Sequence, residues 1–246
     1  MEESTKRAVE RALAWTGPIF VVAMVYFWGM MSHNIPPPNF MAMTPEQLIA
    51  EYYGKYPEIG VGMIAVASFG MFYTTWSCLI ASVMRDENGQ MGPLSFLELS
   101  GGILTGWLFA FTGAMWAACS QLTGTIDPGI IKMVHTFAWY IFDCTYMITT
   151  IQMFGLGLWT VLNRKQTIVP AWAGWCAMAI GTAFIPLVLM PFVTEGPFAV
   201  GGTWNFWLIF STWLFAFFGV YNFYLLKHVY RSPEAQRQAL GFAATA

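Results

Sequence analysis

Six long apolar runs, separated by shorter polar stretches, divide the sequence. Each run is long enough to cross about 30 Å of hydrocarbon as a helix that rises roughly 1.5 Å per residue. The runs are continuous rather than alternating, which is typical of membrane helices and not of membrane β-strands. We therefore predict an all-α fold, a bundle of six transmembrane helices forming a single membrane domain over residues 1–246. The predicted spans cover about 15–32, 59–84, 94–119, 133–162, 171–193 and 204–226.

The basic residues in the connections predict how the bundle is oriented. Of the 11 Lys and Arg residues, only Lys55 and Lys132 fall on one side of the predicted membrane. All the others lie in the N-terminal segment, the second and fourth connections and the C-terminal tail, on the opposite side. Cytoplasmic loops carry the excess of Lys and Arg in membrane proteins. The pattern therefore predicts that both termini are cytoplasmic.

One connection is long, the outer loop at 33–58, and it carries the signals of a short helix. Thr44 can cap the helix, Pro45 suits its first position, and Gln47 can close a capping box. Tyrosines suited to a membrane interface follow: Tyr52, Tyr53 and Tyr56. We predict a short helix that lies on the outer face of the membrane, with docking of a partner as the alternative role.

Composition excludes a soluble protein and several classes of function. Hydrophobic residues make up 57% of the chain and charged residues 10%, against about 25% charged in an ordinary soluble domain. A formal net charge of −2, without a long basic tract, excludes a nucleic-acid partner. The 4 cysteines are scattered, and no HxxH or ExxH spacing occurs, so we expect buried thiols and no metal site. Nucleotide-binding and hydrolase motifs are also absent, which favours a non-enzymatic protein.

Asp143, in the fourth predicted span, is the first candidate for a functional site. An ionised Asp at membrane depth costs about 2.5–3.5 kcal/mol on insertion scales, and no Lys or Arg lies in the predicted spans to offset it. His135, Trp139 and Asp143 share one helix face, with Tyr140 and Tyr146 on either side of Asp143. His135 and Asp143 stand about 12 Å apart along the axis, too far for a direct bond. Asp143 is either a protonatable group lining a pocket or a neutral side chain that bonds a neighbouring helix.

Two further polar residues complete the candidate site. Glu98 lies in the first turns of the third span, where a helix N-terminus also favours negative charge. Gln152 is uncharged and of a type that commonly links helices. We predict that Glu98 and Asp143 lie near opposite leaflets and do not act as a pair.

Small residues and prolines predict how the helices pack. Gly102 and Gly106 form a GxxxG motif, which is weak evidence for a helix-packing face between copies of the chain. Pro186 and Pro191 predict a kink or a loosened segment in the fifth span, with carbonyls such as that of Thr182 left free.

The chain resembles a group of uncharacterised bacterial multi-pass membrane proteins at two short stretches. These are Asn34-Ile-Pro-Pro-Pro after the first span, and Thr194-Glu-Gly-Pro-Phe-Ala-Val-Gly-Gly-Thr-Trp-Asn-Phe-Trp207 before and within the sixth. The resemblance implies a bacterial inner-membrane location and six spans. It implies no activity and no catalytic residues.

Three functions from different classes remain open at this point. The first is a non-enzymatic subunit of a larger assembly, formed with other membrane subunits or with copies of itself. The second is a small carrier or channel for a hydrophobic or weakly polar solute, proton-linked through Asp143. The third is an intramembrane enzyme for an apolar substrate. Membrane lipid is an expected partner in each case, and the aromatic faces could also pack a bound lipid, a quinone or a pigment.

Overall fold

Helices are the main secondary structure of this computed structural model, which describes residues 2–86 and 89–241. Six helical stretches in this part of the chain are long and apolar enough to cross a membrane, which confirms the predicted all-helical, multi-pass architecture. They are α1 (Glu3–Met31), α3 (Ile59–Val83), α4 (Pro93–Leu122), the pair α5 (Pro128–Cys144) and α6 (Met147–Leu162), α7 (Ala171–Phe192) and α8 (Thr203–Val229). Two short helices, α2 (Pro45–Leu48) and α9 (Pro233–Ala239), follow the first and the last span.

The spans close into a ring. α1 packs against α3 and α8, α4 packs against α3, α5 and α6, and α7 packs against α6 and α8. Large aromatic side chains fill much of the interior, among them Phe20, Tyr73, Trp76, Trp116 and Phe218, each completely buried. Their edge-to-face and stacked contacts link helices that are distant in sequence, as between Phe20 and Tyr73 at 5.2 Å.

The GxxxG motif packs two helices of the same chain. A Cβ atom on Gly102 would overlap the Ser77 hydroxyl, and one on Gly106 would overlap the Thr74 hydroxyl. Both glycines therefore allow α4 to approach α3 closely. The motif does pack helices, but its face is covered within the chain, so the suggestion of a contact between copies at this face is wrong.

Two of the spans are broken. The fourth, predicted as continuous over 133–162, begins at Pro128 and turns at Thr145 and Tyr146 between α5 and α6. The Thr145 hydroxyl donates to the carbonyl oxygen of Ile141 at 2.6 Å, a local bond that competes with the helix and commonly bends it. In the fifth span the α-helix ends at Ala183, and a 3₁₀ segment follows over Ile185–Phe192.

The fifth span is loosened near its prolines, as predicted, but the carbonyl of Thr182 is not free, because it accepts from the backbone N–H of Phe184. Carbonyl oxygens near the end of its α-helical part accept side-chain bonds instead of backbone bonds. Gly181 accepts from the Thr150 hydroxyl at 3.0 Å, and Ala183 accepts from the Trp204 indole N–H at 3.0 Å. These bonds hold α6 and α8 against the loosened segment, since a freed carbonyl in an apolar interior needs a donor.

The outer loop differs from its prediction in one respect. The capping box at Thr44 and Gln47 forms as expected and starts α2. However, Tyr52 and Tyr53 are 2% and 3% exposed, and they are not at a membrane surface. The Tyr52 hydroxyl donates to the carbonyl oxygen of Ser32 at 2.8 Å and to Asn34 Oδ1 at 3.0 Å. The segment after α2 therefore packs into the end of the bundle, because its phenol groups find partners there.

The two ends of the chain lie together. The Arg7 guanidinium donates to the carbonyl oxygen of Arg231 at 3.1 Å, and Arg11 Nε donates to that of Val229 at 3.4 Å. These cations at the C-terminal end of α8 satisfy carbonyls that lack a partner in the helix and complement its dipole.

Candidate functional site

A cavity of about 70 Å³ lies inside the ring, beside the break between α5 and α6. A buried water needs roughly 10–15 Å³ measured this way, so the cavity has room for several waters or for a small organic group. Its walls are mostly aromatic: Trp28, Phe109, Trp139, Phe142, Phe184, Phe206, Phe210 and Trp213. Its polar lining comes from Thr105, Asp143, Thr145, Tyr146, Thr149 and Asn205. An apolar cavity with a few convergent polar groups is the usual form of a small-molecule site.

Among the described residues that line the cavity, Asp143 is the only Asp, Glu, Lys or Arg. Its side chain is 7% exposed, and Asn205 Nδ2 donates to its Oδ2 at 3.1 Å. The amide is a neutral donor, and none of the residues lining the cavity is Lys or Arg. A carboxyl group held in this way has an unused oxygen lone pair and room beside it, so a ligand or water can bond to it directly.

Two threonines extend the polar wall across the bundle. The hydroxyls of Thr105 on α4 and Thr149 on α6 lie 3.1 Å apart, and both residues line the cavity. They form the side of the cavity that is nearest to a second polar cluster, which contains Glu98.

That second cluster is centred on Gln152 and links three helices. Gln152 Nε2 donates to Ser77 Oγ at 2.9 Å and to Glu98 Oε1 at 3.0 Å, and the Tyr73 hydroxyl donates to Gln152 Oε1 at 2.5 Å. All four residues are completely or almost completely buried. Glu98 Oε2 has no hydrogen-bond partner among the described residues. Neither Glu98 nor Gln152 is among the residues that line the cavity beside Asp143.

Tyr73 connects the two regions. Its hydroxyl interacts with Thr105 as well as with Gln152, and its ring stacks on Trp213 with centroids 6.0 Å apart. Since Thr105 and Trp213 are in the cavity wall, a few side chains separate Asp143 from Glu98. The link between the two carboxyl groups runs through side chains of α3 and α8, so the sequence around Asp143 and Glu98 carries no sign of it.

His135 lies outside the cavity, in an aromatic cluster next to the outer loop. The Tyr53 hydroxyl donates to His135 Nδ1 at 2.6 Å. Burial raises the pKa of Tyr53 well above its ordinary value, so its hydroxyl keeps the proton it donates. With Nδ1 as acceptor, a neutral imidazole carries its proton on Nε2, and Nε2 finds no partner among the described residues. Trp139, 6.4 Å from His135 between ring centroids, separates the imidazole from the cavity.

Of the predicted site residues, Asp143 and Trp139 line the cavity, while His135, Tyr140, Glu98 and Gln152 do not. Of the two tyrosines that flank Asp143 in the sequence, Tyr146 lines the cavity, whereas Tyr140 is half-buried and does not line it. Asn205, Thr105 and Thr149 were missed as site residues. A polar Asn in an apolar run was the only local signal for Asn205, and threonines are too common in membrane helices to stand out.

Within residues 2–86 and 89–241, no three His, Cys, Asp or Glu side chains come together as a metal site would require. The sequence matches no protein-family model. Comparison with curated proteins and with solved structures likewise gives no match. The function is therefore argued from the cavity and its residues alone.

Proposed function

We propose that this protein is a small membrane carrier that binds a weakly polar solute in the central cavity, with Asp143 as the polar anchor. The observation that carries the proposal is a single carboxyl group, held by one neutral amide, in an aromatic cavity at the break of a span. Broken helices with a polar group at the break are a common way to build a substrate site in transporters. A carboxyl group at membrane depth that has no cationic partner and also borders a cavity is a candidate for a functional group.

The chemistry of the walls favours a particular kind of solute. Indole faces attract cations, and Trp28, Trp139 and Trp213 line the same cavity as the carboxyl group of Asp143. A small amine suits this site best, because one proton shared between the carboxyl group of Asp143 and the amine leaves a carboxylate paired with an ammonium group. A cavity of about 150 Å³ holds benzene, so the 70 Å³ here selects a solute of only a few non-hydrogen atoms. A quinone or a pigment does not fit in it.

Binding can be measured with two probes of matched size, propylamine and 1-propanol, through the fluorescence of the cavity tryptophans. We expect propylamine to bind the detergent-purified protein more tightly than 1-propanol, and Asp143→Asn to abolish that preference. Glu195→Gln, which neutralises an exposed carboxylate, is the matched control and should leave the preference intact. Equal affinities of both probes for the wild type, or an unchanged preference in Asp143→Asn, would contradict the proposal.

Transport itself needs a separate measurement. In liposomes that enclose a pH-sensitive dye, neutral propylamine crosses the lipid and takes up a proton by itself, so the rate in protein-free liposomes is the baseline. The wild type should change the internal pH faster than this baseline, and Asp143→Asn should not. If the amine binds but the wild type does not exceed this baseline, the protein is a binding protein and not a proton-linked carrier.

The proposal includes a location. A bacterial inner membrane, with both termini cytoplasmic, is supported by the distribution of basic residues and by the resemblance at residues 34–38 and 194–207. The contacts of Arg7 and Arg11 at the end of α8 agree with two termini on one side. Cysteine labelling of Ser4→Cys and Ser232→Cys in intact and opened cells tests it, with the native cysteines replaced.

Membership of a larger assembly stays a prediction. Exposed apolar side chains occur on every span, as lipid contact alone requires, and no single face stands out. Native mass spectrometry of the protein, extracted in mild detergent, distinguishes a complex with repeated copies or other chains from a monomer. An intramembrane enzyme has no support from the cavity, where no side-chain nucleophile is paired with a base among the lining residues.

A further inference from the structure

A second cavity, of about 480 Å³, opens at the end of the bundle where the two termini lie. Its walls come from the connection between α6 and α7 and from the end of α8. Three cationic residues line it: Arg164, Lys227 and Arg231. No Asp or Glu lines it among the described residues, so the cavity carries an unbalanced positive charge. We call it the basic pocket.

A neighbouring cavity at the same end has a different charge. Its volume is about 630 Å³, and its lining residues carry charges of both signs: Glu3, Lys6, Glu10, Arg85 and Arg237. Lys6 Nζ and Glu10 Oε1 lie 3.9 Å apart as an ion pair. Cations at this end of the bundle are thus largely balanced by two carboxylates in one cavity, whereas no carboxylate lines the other among the described residues. Basic residues that serve only to orient the helices would not need to lie beside carboxylates in one cavity and apart from them in the other.

The cations of the basic pocket are not used elsewhere in the fold. In the described part of the chain, the side chains of Arg164, Lys227 and Arg231 make no ion pair and no hydrogen bond to another side chain or to the backbone. Only the backbone of Arg231 is engaged in this part of the chain: its N–H donates to the carbonyl oxygen of His228 at 3.0 Å, and its carbonyl oxygen accepts from Arg7 at 3.1 Å. Three unpaired cations around one cavity repel one another unless an anion lies between them.

The segment of the wall that carries Arg164 is held in place by hydrogen bonds. The buried Gln166 side chain holds it, with Oε1 accepting from the backbone N–H groups of Ile168 and Val169 at 2.8 and 3.0 Å. Its Nε2 donates to the carbonyl oxygen of Val169 at 2.7 Å. The N–H of Thr167 donates to the carbonyl oxygen of Ala239 at 2.8 Å and ties the wall to α9.

We propose that the basic pocket binds the phosphate group of an anionic phospholipid. Arg and Lys bind phosphate through charge-assisted hydrogen bonds, and basic pockets between membrane helices recognise acidic lipid head groups. The pocket lies where α6 and α8 end and α7 begins, at the depth of a head group. Trp172 and Trp175, 52% and 62% exposed on the first turns of α7, offer an interfacial surface to the acyl chains beside it.

The test is lipid binding by the delipidated full-length protein in detergent, followed by native mass spectrometry, with phosphatidylglycerol and phosphatidylcholine as probes. The variant Arg164→Gln/Lys227→Gln/Arg231→Gln removes the three cations. Each cation near a membrane surface contributes roughly fivefold in affinity, so the triple variant should bind phosphatidylglycerol about 100-fold more weakly. Lys6→Gln/Arg85→Gln/Arg237→Gln, with the same loss of charge in the balanced cavity, should bind it within about twofold of the wild type.

Lys227→Gln alone alters one exposed side chain, leaves the fold intact and should weaken binding about fivefold. Three outcomes would overturn the proposal. Equal losses in the two triple variants would show a general effect of charge. Equal binding of phosphatidylcholine by the wild type would show that the anionic head group is not recognised. Displacement of phosphatidylglycerol by an equal concentration of inorganic phosphate would assign the pocket to a soluble phosphate ligand instead of a lipid.

Discussion

Asp143 and Glu98 are both buried carboxyl groups in membrane helices, but their surroundings differ. Asp143 accepts one hydrogen bond, from Asn205, and borders a cavity. Glu98 is completely enclosed, and its Oε1 accepts from Gln152 within a network that joins α3, α4 and α6. One carboxyl has space for an exchangeable partner and the other does not. The comparison teaches that polarity at membrane depth indicates either ligand binding or helix linkage, and that free space beside the group separates the two.

The energetic consequences of removing a group also differ. A buried polar group left without a partner costs about 1–3 kcal/mol when nothing can replace that partner. The side chains of the Gln152 network are completely buried and lie outside the Asp143 cavity, so a deletion there leaves its neighbours unpaired. Beside Asp143, water can occupy the cavity and bond to Asn205. We therefore expect stability to depend mainly on the first region and ligand binding on the second.

The largest expected effect comes from Gln152→Ala. This change removes the partner of Tyr73, Ser77 and Glu98 at once, and it should lower the free energy of unfolding by about 3–5 kcal/mol. Reversible unfolding in mixed SDS–detergent micelles measures it. Gln238→Ala, at an exposed position in α9, is the control and should change stability by less than about 0.5 kcal/mol. A loss below 1 kcal/mol in Gln152→Ala would mean that the network does not hold the three helices.

The next largest effect on the free energy of unfolding is expected when each of the two carboxyl groups is removed in turn. We expect Glu98→Ala to cost about 2–3 kcal/mol, since Gln152 Nε2 loses an acceptor in a closed space. Asp143→Ala should cost less than about 1 kcal/mol, because water can replace the carboxylate beside Asn205. The same unfolding measurement serves for both. Equal costs would remove the distinction between an enclosed and a cavity-facing group.

Ligand binding should show the opposite order. Asp143→Asn is expected to weaken propylamine binding about tenfold, which corresponds to roughly 1.4 kcal/mol. Glu98→Gln keeps the shape of a side chain outside the cavity and should change the affinity by less than about twofold. The fluorescence titration of the cavity tryptophans measures both. If the Glu98 variant loses more affinity than the Asp143 variant, the solute site has been assigned to the wrong carboxyl group.

The smallest effect concerns a third carboxyl group, Glu58, which has a basic partner at the surface. His33 Nε2 lies 2.8 Å from Glu58 Oε1, and this hydrogen bond lowers the pKa of Glu58 below its ordinary value of 4.5. A lowered folded-state pKa adds stability at pH values above 4.5, and this stability is lost as the pH falls through the lowered value. Because the pair is exposed, solvent screening keeps the effect small.

Melting temperatures of the wild type and Glu58→Gln, measured from pH 6 to pH 3, test this expectation. The wild type should be slightly more stable at the upper end of that range, and the two proteins should converge at the lower end. Glu46→Gln, an exposed carboxylate in α2, controls for the change of net charge. A difference that grows as the pH falls would have the wrong sign and would exclude the ion pair as its cause.

The fold could be predicted further than the site. Long apolar runs require helices wherever water is absent, so the six spans, the capping box at Thr44 and the loosened fifth span followed from local composition. The break at Thr145 did not, because a threonine in an apolar run is compatible with either a straight or a bent helix. The glycines of α4 indicated close packing of helices, but they did not indicate which helix approaches them.

By itself, the sequence determined that this chain crosses a membrane as helices, and it identified Asp143 as a polar group that needs an explanation. Only the tertiary structure decided that Asp143 faces a cavity, that Glu98 belongs to a closed network, and that Arg164, Lys227 and Arg231 surround one pocket. The reason is physical. Helix formation in an apolar medium depends on the residues of one segment, whereas a cavity, a network or a charge cluster depends on which faces of distant segments meet.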